Sequence, residues 1–241
     1  PDAGIQLIFE NYMDSMEVIS NVNMVGSPGV DGVWPNDGTS GPYLMNGEGF
    51  EYGQVIEKGL MSAVFASQIT INYLGTLDDD ENTTVVSGEN YTDMQHHWDE
   101  AYGYFTSSID FPTSGTDRFW GKYADGREAI IQSGSKITTA FRTGRAAIDA
   151  KDYTERDAQI VIIRNEIEKL QAASAIHYLN SAKSNLSLNT TRNHSLSEAY
   201  AFLDGLRFGY NSVSSAGMTS AEIDQAIGYI GNDFNNVTIT G

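Results

Sequence analysis

The sequence contains no cysteine, few basic residues and no long apolar segment, and each absence excludes a class of protein. Without cysteine, disulfide bonds and thiolate metal sites are excluded, whereas the cellular compartment stays open. The 14 lysines and arginines stand against 32 acidic residues, which gives a net charge of −18. Such a field repels phosphate backbones and anionic lipid headgroups, so we predict no nucleic-acid partner and no electrostatic binding to a membrane surface. The same field favours cations.

No apolar run approaches the roughly 18 residues of a membrane-spanning helix. Hydrophobic residues make up 40% of the 241 residues, which is enough for a globular core. The chain opens with Pro1 to Gly4 and no initiator methionine. We therefore expect that a leader has been removed or that the N-terminus is incomplete.

Helical periodicity runs through most of the chain and predicts an all-α fold of the helix-bundle type. Apolar spacings of three and four residues, together with capping residues, predict helices over 3–20, 50–74, 92–107, 127–149, 154–183 and 194–208. A last helix is predicted to begin at the capping signature of Thr219 and Glu222. Loops are predicted over the glycine- and proline-rich residues 26–48, the acidic residues 78–82 and residues 111–126.

Two helical segments repeat each other. His96–Phe105 and His194–Leu203 align with His, Glu, Ala and Tyr at four shared positions, and each carries an apolar stripe at i, i+3, i+4 and i+7. We predict an internal duplication, with a first half over residues 1–125 that includes the long 26–48 loop, and a second half over residues 126–241. The alternative is a chance similarity between two amphipathic helices.

Each repeated segment places an imidazole and a carboxylate on one helix face, because their spacing is three or four residues. An imidazole nitrogen with a carboxylate oxygen suits a divalent metal such as iron or zinc, with further ligands from another helix. The metal-ligand candidates are His97, Glu100, His96, His194 and Glu198, with Glu48, Glu51 and Glu57 as additional donors. The alternative is that each pair is an ordinary hydrogen-bonded or solvated pair. His177 is predicted to be a core histidine.

No catalytic motif is present. The sequence lacks a nucleophile elbow, a phosphate-binding glycine loop and a His-Glu-x-x-His motif, so no catalytic residue is predicted. A catalytic zinc has three protein ligands and an open position, and two are evident here, which favours a binding protein over an enzyme. In the 26–48 loop, Trp34 and Tyr43 are candidate stacking platforms for a glycan or protein partner.

Several blocks of the sequence resemble the domain of unknown function 4856 family. Between about residues 44 and 210 they read EKGLMSAVFASQI, MQHHWDEAYGYF, RFWGKYA, AFRTGRAAI, AIHYLN and HSLSEAYAFL. The HHWDEA block is the most specific of these. Members of this family are exported, often lipid-anchored bacterial proteins that resemble imelysin.

The resemblance to imelysin-like proteins implies a duplicated helical bundle and a His-x-x-Glu motif, which His97 and Glu100 match. It implies an exported or surface-anchored binding protein that holds a divalent metal, iron, for uptake. Its expected location is the periplasm, the outer membrane or the cell surface, with membrane contact only through a lipid anchor and with an uptake or surface-complex protein as partner. The alternatives are a glycan- or partner-binding surface lipoprotein without metal, and a metallopeptidase-like hydrolase in which Glu100 is base or ligand.

Overall fold

The structure, a computed structural model, describes residues 3–38, 41–111, 117–214 and 216–237. Within these residues, β structure is limited to two isolated bridges and an antiparallel ribbon of β1 (Gly32–Trp34) and β2 (Tyr43–Met45). Helices make up most of the remainder, so the predicted all-α class is confirmed.

The helices in chain order are α1 (Ala3–Ser20), α2 (Tyr52–Leu60), α3 (Leu74–Thr76), α4 (Asp93–Phe105), α5 (Phe119–Ile131), α6 (Ser133–Ala150), α7 (Tyr153–Ser184), α8 (Asn189–Gly205), α9 (Tyr210–Val213) and α10 (Ser220–Ile230). Between α2 and α3 the chain forms two π-helical segments, Met61–Ala66 and Gln68–Tyr73. Short 3₁₀ turns lie at Leu77–Asp79, Leu206–Phe208 and Phe234–Asn236. In the part of the chain described here, no helix is both long and apolar enough to cross a bilayer.

The chain forms two compact units whose segments alternate along the sequence. The described residues of Pro1–Leu60, Ser174–Leu206 and Thr219–Gly241 form unit 1, and those of Met61–Ala173 and Arg207–Met218 form unit 2. The predicted halves, 1–125 and 126–241, come from the repeat in the sequence, and their bounds differ from those of the two compact units. The duplication stays a prediction.

Unit 1 is built around α8, which packs against α2 and α10, while α1 packs against α2. One glycine permits the close approach of α1. A Cβ atom at Gly59 would lie 2.6 Å from the ring of Phe9. The core cluster of this unit is Ala182, Leu196, Ile230 and Phe234.

Unit 2 is built around α4, which packs against α6 and against the second π-helical segment, while α5 packs against α6. Two indole rings anchor the core and keep their N–H groups satisfied. Nε1 of Trp98 donates to the carbonyl of Phe141, and Nε1 of Trp120 donates to the carbonyl of Met61, each over 2.9 Å. Both rings are at most 1% exposed, so they combine large apolar burial with a paired donor.

The predicted helices at 3–20, 154–183 and from Thr219 onward are confirmed to within a residue or two. The region 111–149 differs from the prediction. Helix α5 begins at Phe119, inside the predicted loop, and Gln132 adopts a left-handed conformation (φ 55°) that separates α5 from α6. A single left-handed residue has no strong signal in the sequence. The apolar periodicity therefore predicted one helix over 127–149 and did not separate α5 from α6. Residues 112–116 of the predicted loop lie outside the described residues.

Candidate functional site

Helix α4 is fixed in unit 2 by its cap and by its apolar face. The hydroxyl of Thr92 accepts from the backbone N–H of Gln95, and the Gln95 side chain accepts from the backbone N–H of Thr92, so both orphan donors are satisfied. The predicted apolar stripe is buried to 1% exposure or less at Trp98, Ala101 and Phe105. Half-buried polar side chains lie on the other side of the helix: His96, His97 and Glu100.

His97 is held by a carboxylate that sequence reasoning did not select. Its Nδ1 atom lies 2.8 Å from Oδ2 of Asp80. A carboxylate only accepts hydrogen bonds, so Nδ1 carries a proton, and in the neutral form of the ring the lone pair lies on Nε2. Nε2 has no hydrogen-bond partner among the residues that the structure describes. The His97 side chain is 38% exposed, so solvent reaches this ring.

Asp80 lies in the acidic run at residues 78–82, which the sequence predicts to be a loop. The 3₁₀ turn Leu77–Asp79 brings this carboxylate to α4. Its neighbours are also paired, because Asp78 forms an ion pair with Arg156 and Glu81 accepts from the backbone of Thr83. No local spacing in the sequence signals that Asp80 meets a histidine 17 residues later.

Glu100 has two polar neighbours, His96 and Tyr73. Nε2 of His96 lies 3.4 Å from Oε1 of Glu100, and the hydroxyl of Tyr73 hydrogen-bonds to the same carboxylate. Burial raises the pKa of Tyr73 to about 12, and the bond to Glu100 adds to this shift, so the phenol stays protonated at neutral pH. The ring of Tyr91 stacks on His96 with centroids 4.8 Å apart.

A cavity of about 510 Å³ adjoins Glu100. Aromatic side chains form much of its wall, because the π-helical segments supply Phe65 and Tyr73, α4 supplies Tyr104, and α5 supplies Phe119. π-Helical turns are rare and often occur at functional sites. The polar His/Glu face of α4 therefore borders an aromatic cavity within unit 2.

His194 in unit 1 has a different environment. Its Nδ1 lies 2.7 Å from Oε2 of Glu51, and its Nε2 lies 3.5 Å from Oε2 of Glu198. Lys58 extends the chain of charges, with Nζ 3.7 Å from Oε1 of Glu198. The His194 side chain is 17% exposed, and the other three are buried more deeply. Glu51, His194, Glu198 and Lys58 therefore form a largely buried series in which acidic and basic side chains alternate.

Both ring nitrogens of His194 face carboxylates, so the arrangement favours the imidazolium form, in which both nitrogens donate. Burial alone lowers the pKa of His194, but the hydrogen bond to Glu51 and the charges of Glu51 and Glu198 outweigh it, and the pKa is raised overall. Burial raises the pKa of Glu198, although His194 and Lys58 act against it. An imidazolium has no lone pair for a metal, so this cluster is built as an ion network.

The loop over residues 26–48 is attached to the start of α8. Asp37 accepts from the backbone N–H groups of Thr190 and Thr191, over 2.6 and 3.0 Å. It thereby caps the first turn of α8, which begins at Asn189 and not at the predicted residue 194. The capping residue lies about 150 residues earlier in the chain, so a search for a local cap could not find it. Residues 39–40 of this loop lie outside the described residues.

The two candidate stacking residues of this loop are not open platforms. Trp34 is 1% exposed, and a Cβ atom at Gly26 would lie 2.2 Å from its ring. Tyr43 stacks on His194, with centroids 4.1 Å apart and planes at 5°. Trp34 therefore serves packing in this structure, and Tyr43 covers the His194 imidazole.

The remaining candidate donors belong to unit 1 and lie on its surface. Glu57 pairs with Lys58 over 2.9 Å, and Glu48 is exposed. His177 is also exposed, with its ring edge-on to Tyr178, so the prediction of a core histidine was wrong. Across the described ranges, no group of three or more His, Asp or Glu side chains is arranged as a metal cluster.

The aligned histidines of the repeat share one contact. The Nε2-to-carboxylate distance is 3.4 Å for His96 and Glu100, and 3.5 Å for His194 and Glu198. Each segment also has a contact between an Nδ1 atom and a carboxylate, but different positions make it. In unit 2 the residue after His96, His97, contacts Asp80, whereas in unit 1 His194 itself contacts Glu51. This local likeness is compatible with duplication, which stays a prediction.

Fold and site together define an all-α protein with an accessible His/carboxylate face beside an aromatic cavity. The family model of the domain of unknown function (DUF4856) matches residues 2–237. The chain therefore belongs to this family, as its HHWDEA block and neighbouring blocks predict. No curated protein and no solved structure matches it. The relation to imelysin stays a prediction.

Proposed function

We propose that this protein is a binding protein that holds a divalent metal cation through Nε2 of His97 and the carboxylate of Glu100. The observation that carries the proposal is the 2.8 Å contact between Asp80 and Nδ1 of His97. Histidines that ligate metals commonly donate their other ring N–H to a carboxylate, which fixes the ring and raises its basicity. Asp80 gives His97 this arrangement.

The comparison with His194 supports the choice of His97. Among the residues that the structure describes, His194 has a carboxylate at each ring nitrogen, whereas His97 has one only at Nδ1. His97 is also more exposed, at 38% against 17% for the side chain. We therefore assign the metal to α4 and treat His194 and Glu198 as a structural ion network.

Glu100 supplies the second donor, because it lies three residues after His97 on the same helix. Nε2 of His96 faces the same carboxylate. A metal ion binds the deprotonated forms of imidazole nitrogens and carboxylates. Metal binding should therefore weaken as the solution becomes more acidic. Two protein donors leave the other coordination positions to water, which the exposure of His97 allows.

Nitrogen and carboxylate oxygen donors suit both iron and zinc, so each should be tested. Titration calorimetry with Fe²⁺ under anaerobic conditions and with Zn²⁺ should show one site in the wild-type protein. His97→Ala and Glu100→Gln should each abolish measurable binding, and Asp80→Asn should weaken it by about tenfold or more. Exposed His177 offers the matched control, since His177→Ala should leave the affinity unchanged.

Binding that survives both His97→Ala and Glu100→Gln would contradict this site. Metal-dependent cleavage of a peptide panel, lost in Glu100→Gln, would instead favour the metallopeptidase-like alternative. Loss of a glycan-array signal in Tyr43→Ala, with no metal bound, would favour the glycan-binding alternative.

Export, a lipid anchor and a role in iron uptake are part of the same proposal, and they rest on the family resemblance. Fractionation of the native organism should recover the protein with the periplasm or the outer membrane. Deletion of its gene should slow growth when iron is chelated, and a His97→Ala copy should fail to restore growth. Recovery in the cytosol would contradict this part.

A further inference from the structure

The cavity beside Glu100 combines aromatic walls with a carboxylate at its edge. The ring of Phe65 is edge-on to Tyr104 (5.7 Å, 65°) and to Phe119 (5.1 Å, 88°). Tyr73 continues this wall, with its ring centroid 5.7 Å from that of Tyr104. Rings that stand at steep angles to one another form the sides of a recess rather than a flat surface. The volume of about 510 Å³ suits a small organic molecule.

Two residues of the cavity lining have notable backbone features. Gly103 lies on α4 in the lining, and a Cβ atom at this position would meet nothing within 4 Å. Phe119, which also lines the cavity, adopts φ 47°, a left-handed conformation that costs a bulky residue energy, and the residue is 43% exposed. Such strain persists where surrounding structure imposes it, and it is frequent at ligand sites.

The charges of the lining favour a cation. Glu100 and Asp117 contribute two carboxylates and Arg118 contributes one guanidinium, so the carboxylates are in excess. Aromatic faces attract ammonium groups and stack on apolar ring systems, and burial beside a carboxylate strengthens the attraction. The net charge of −18 raises the local concentration of cations further.

We propose that the cavity lined by Phe65, Tyr73, Gly103, Tyr104 and Phe119 binds an organic ammonium ion, with the cationic group at Glu100 and its apolar part among the rings. This site goes beyond the proposed metal function and does not depend on it. It uses the rings and the carboxylate, whereas the metal requires the imidazole of His97. The two ligands share Glu100 and should compete.

The test uses metal-free wild-type protein and three benzyl probes that differ in charge. By titration calorimetry, benzylammonium should bind about tenfold or more tightly than neutral benzyl alcohol, and benzoate should bind weakest. Glu100→Gln should remove the preference for the cation. Equal affinity for benzylammonium and benzyl alcohol, or no binding of benzylammonium, would overturn the proposal.

A pair of glycine substitutions tests the location. Gly103→Leu fills the cavity and should weaken benzylammonium binding by about tenfold or more, while Zn²⁺ binding persists. Gly126→Leu is the matched control, because Gly126 also lies within a helix, on α5, with open space around it. It should change neither affinity, and circular dichroism should show both variants folded.

His97→Ala separates the two proposals from each other. It should abolish Zn²⁺ binding and leave benzylammonium binding unchanged. Loss of benzylammonium binding in His97→Ala, or its persistence in Gly103→Leu, would contradict the assigned cavity. Absence of Zn²⁺ binding with intact ammonium binding would contradict the metal function alone.

Discussion

At the scale of single residues, two histidines on repeated helices have opposite environments. His97 keeps one nitrogen without a hydrogen-bond partner among the described residues, and His194 has a carboxylate at each nitrogen. The sequence places a carboxylate three residues after His97 and four residues after His194, so it made both histidines candidates for metal binding. The difference comes from Asp80 and Glu51, which tertiary packing supplies from other elements.

The first prediction concerns the pH dependence that His194 causes. Its pKa is raised on folding, so its stabilisation is complete below the unfolded value near 6.5 and is lost as pH rises through the folded value. The raised pKa of Glu198 acts in the same direction from a lower starting pH. The free energy of unfolding should therefore fall as pH rises above about 6.5.

His194→Gln should flatten that slope and should lower the free energy of unfolding at pH 6.5 by about 3 kcal/mol, because two buried carboxylates lose their shared cation. Urea unfolding at pH 6.5 and at a series of higher pH values measures these effects. The exposed His177→Gln is the control and should keep the wild-type slope. An unchanged slope in His194→Gln would contradict the imidazolium assignment.

The second prediction compares two helical glycines of unit 2. A Cβ atom at Gly144 would lie 2.2 Å from the ring of Trp98, whereas at Gly126 it would meet nothing. Gly144→Ala should therefore destabilise the protein by about 1–3 kcal/mol through overpacking. Gly126→Ala should stabilise it by about 0.5–1 kcal/mol, because alanine restricts the unfolded chain and favours helix. Thermal unfolding of both variants gives the comparison, and equal effects would contradict the packing described.

At the scale of elements, the sequence predicted those helices whose signals are local. The predicted start at residue 92 and the capping signature of Thr219 and Glu222 correctly located the starts of α4 and α10. The sequence did not predict the early start of α8, because Asp37 caps this helix from a distant loop. It also did not predict the break between α5 and α6 at Gln132, because this break has no local marker. The aromatic cavity was missed as well, because π-helical turns and a left-handed Phe119 place its rings together.

The third prediction compares the two capping boxes. Thr92 caps α4 and also donates to Oδ1 of Asn82 in a buried contact over 2.8 Å, whereas the cap at Thr219 is exposed. Thr219→Ala should cost about 1 kcal/mol, the usual value for a cap. Thr92→Ala should cost about 2 kcal/mol, since it also leaves a buried acceptor without its donor. Urea unfolding monitored by circular dichroism measures both, and a larger loss in Thr219→Ala would contradict this ranking.

At the scale of the whole molecule, the charge imbalance dominates. A net charge of −18 produces self-repulsion that opposes the compact state. Raising the salt concentration from about 20 mM to about 300 mM should screen this repulsion and raise the midpoint of thermal unfolding. A lower midpoint at high salt would mean that favourable ion pairs outweigh the repulsion.

The central claim is that a metal binds at His97 and at no other histidine. The protein has four histidines, so a nitrogen-15 spectrum of the imidazole side chains during Zn²⁺ titration can resolve each of them. The account predicts that Nε2 of His97 shifts strongly on saturation, while both nitrogens of His194 keep the pattern of an imidazolium. Unchanged His97 signals, or a strong shift at His177 or His194 in its place, would contradict it.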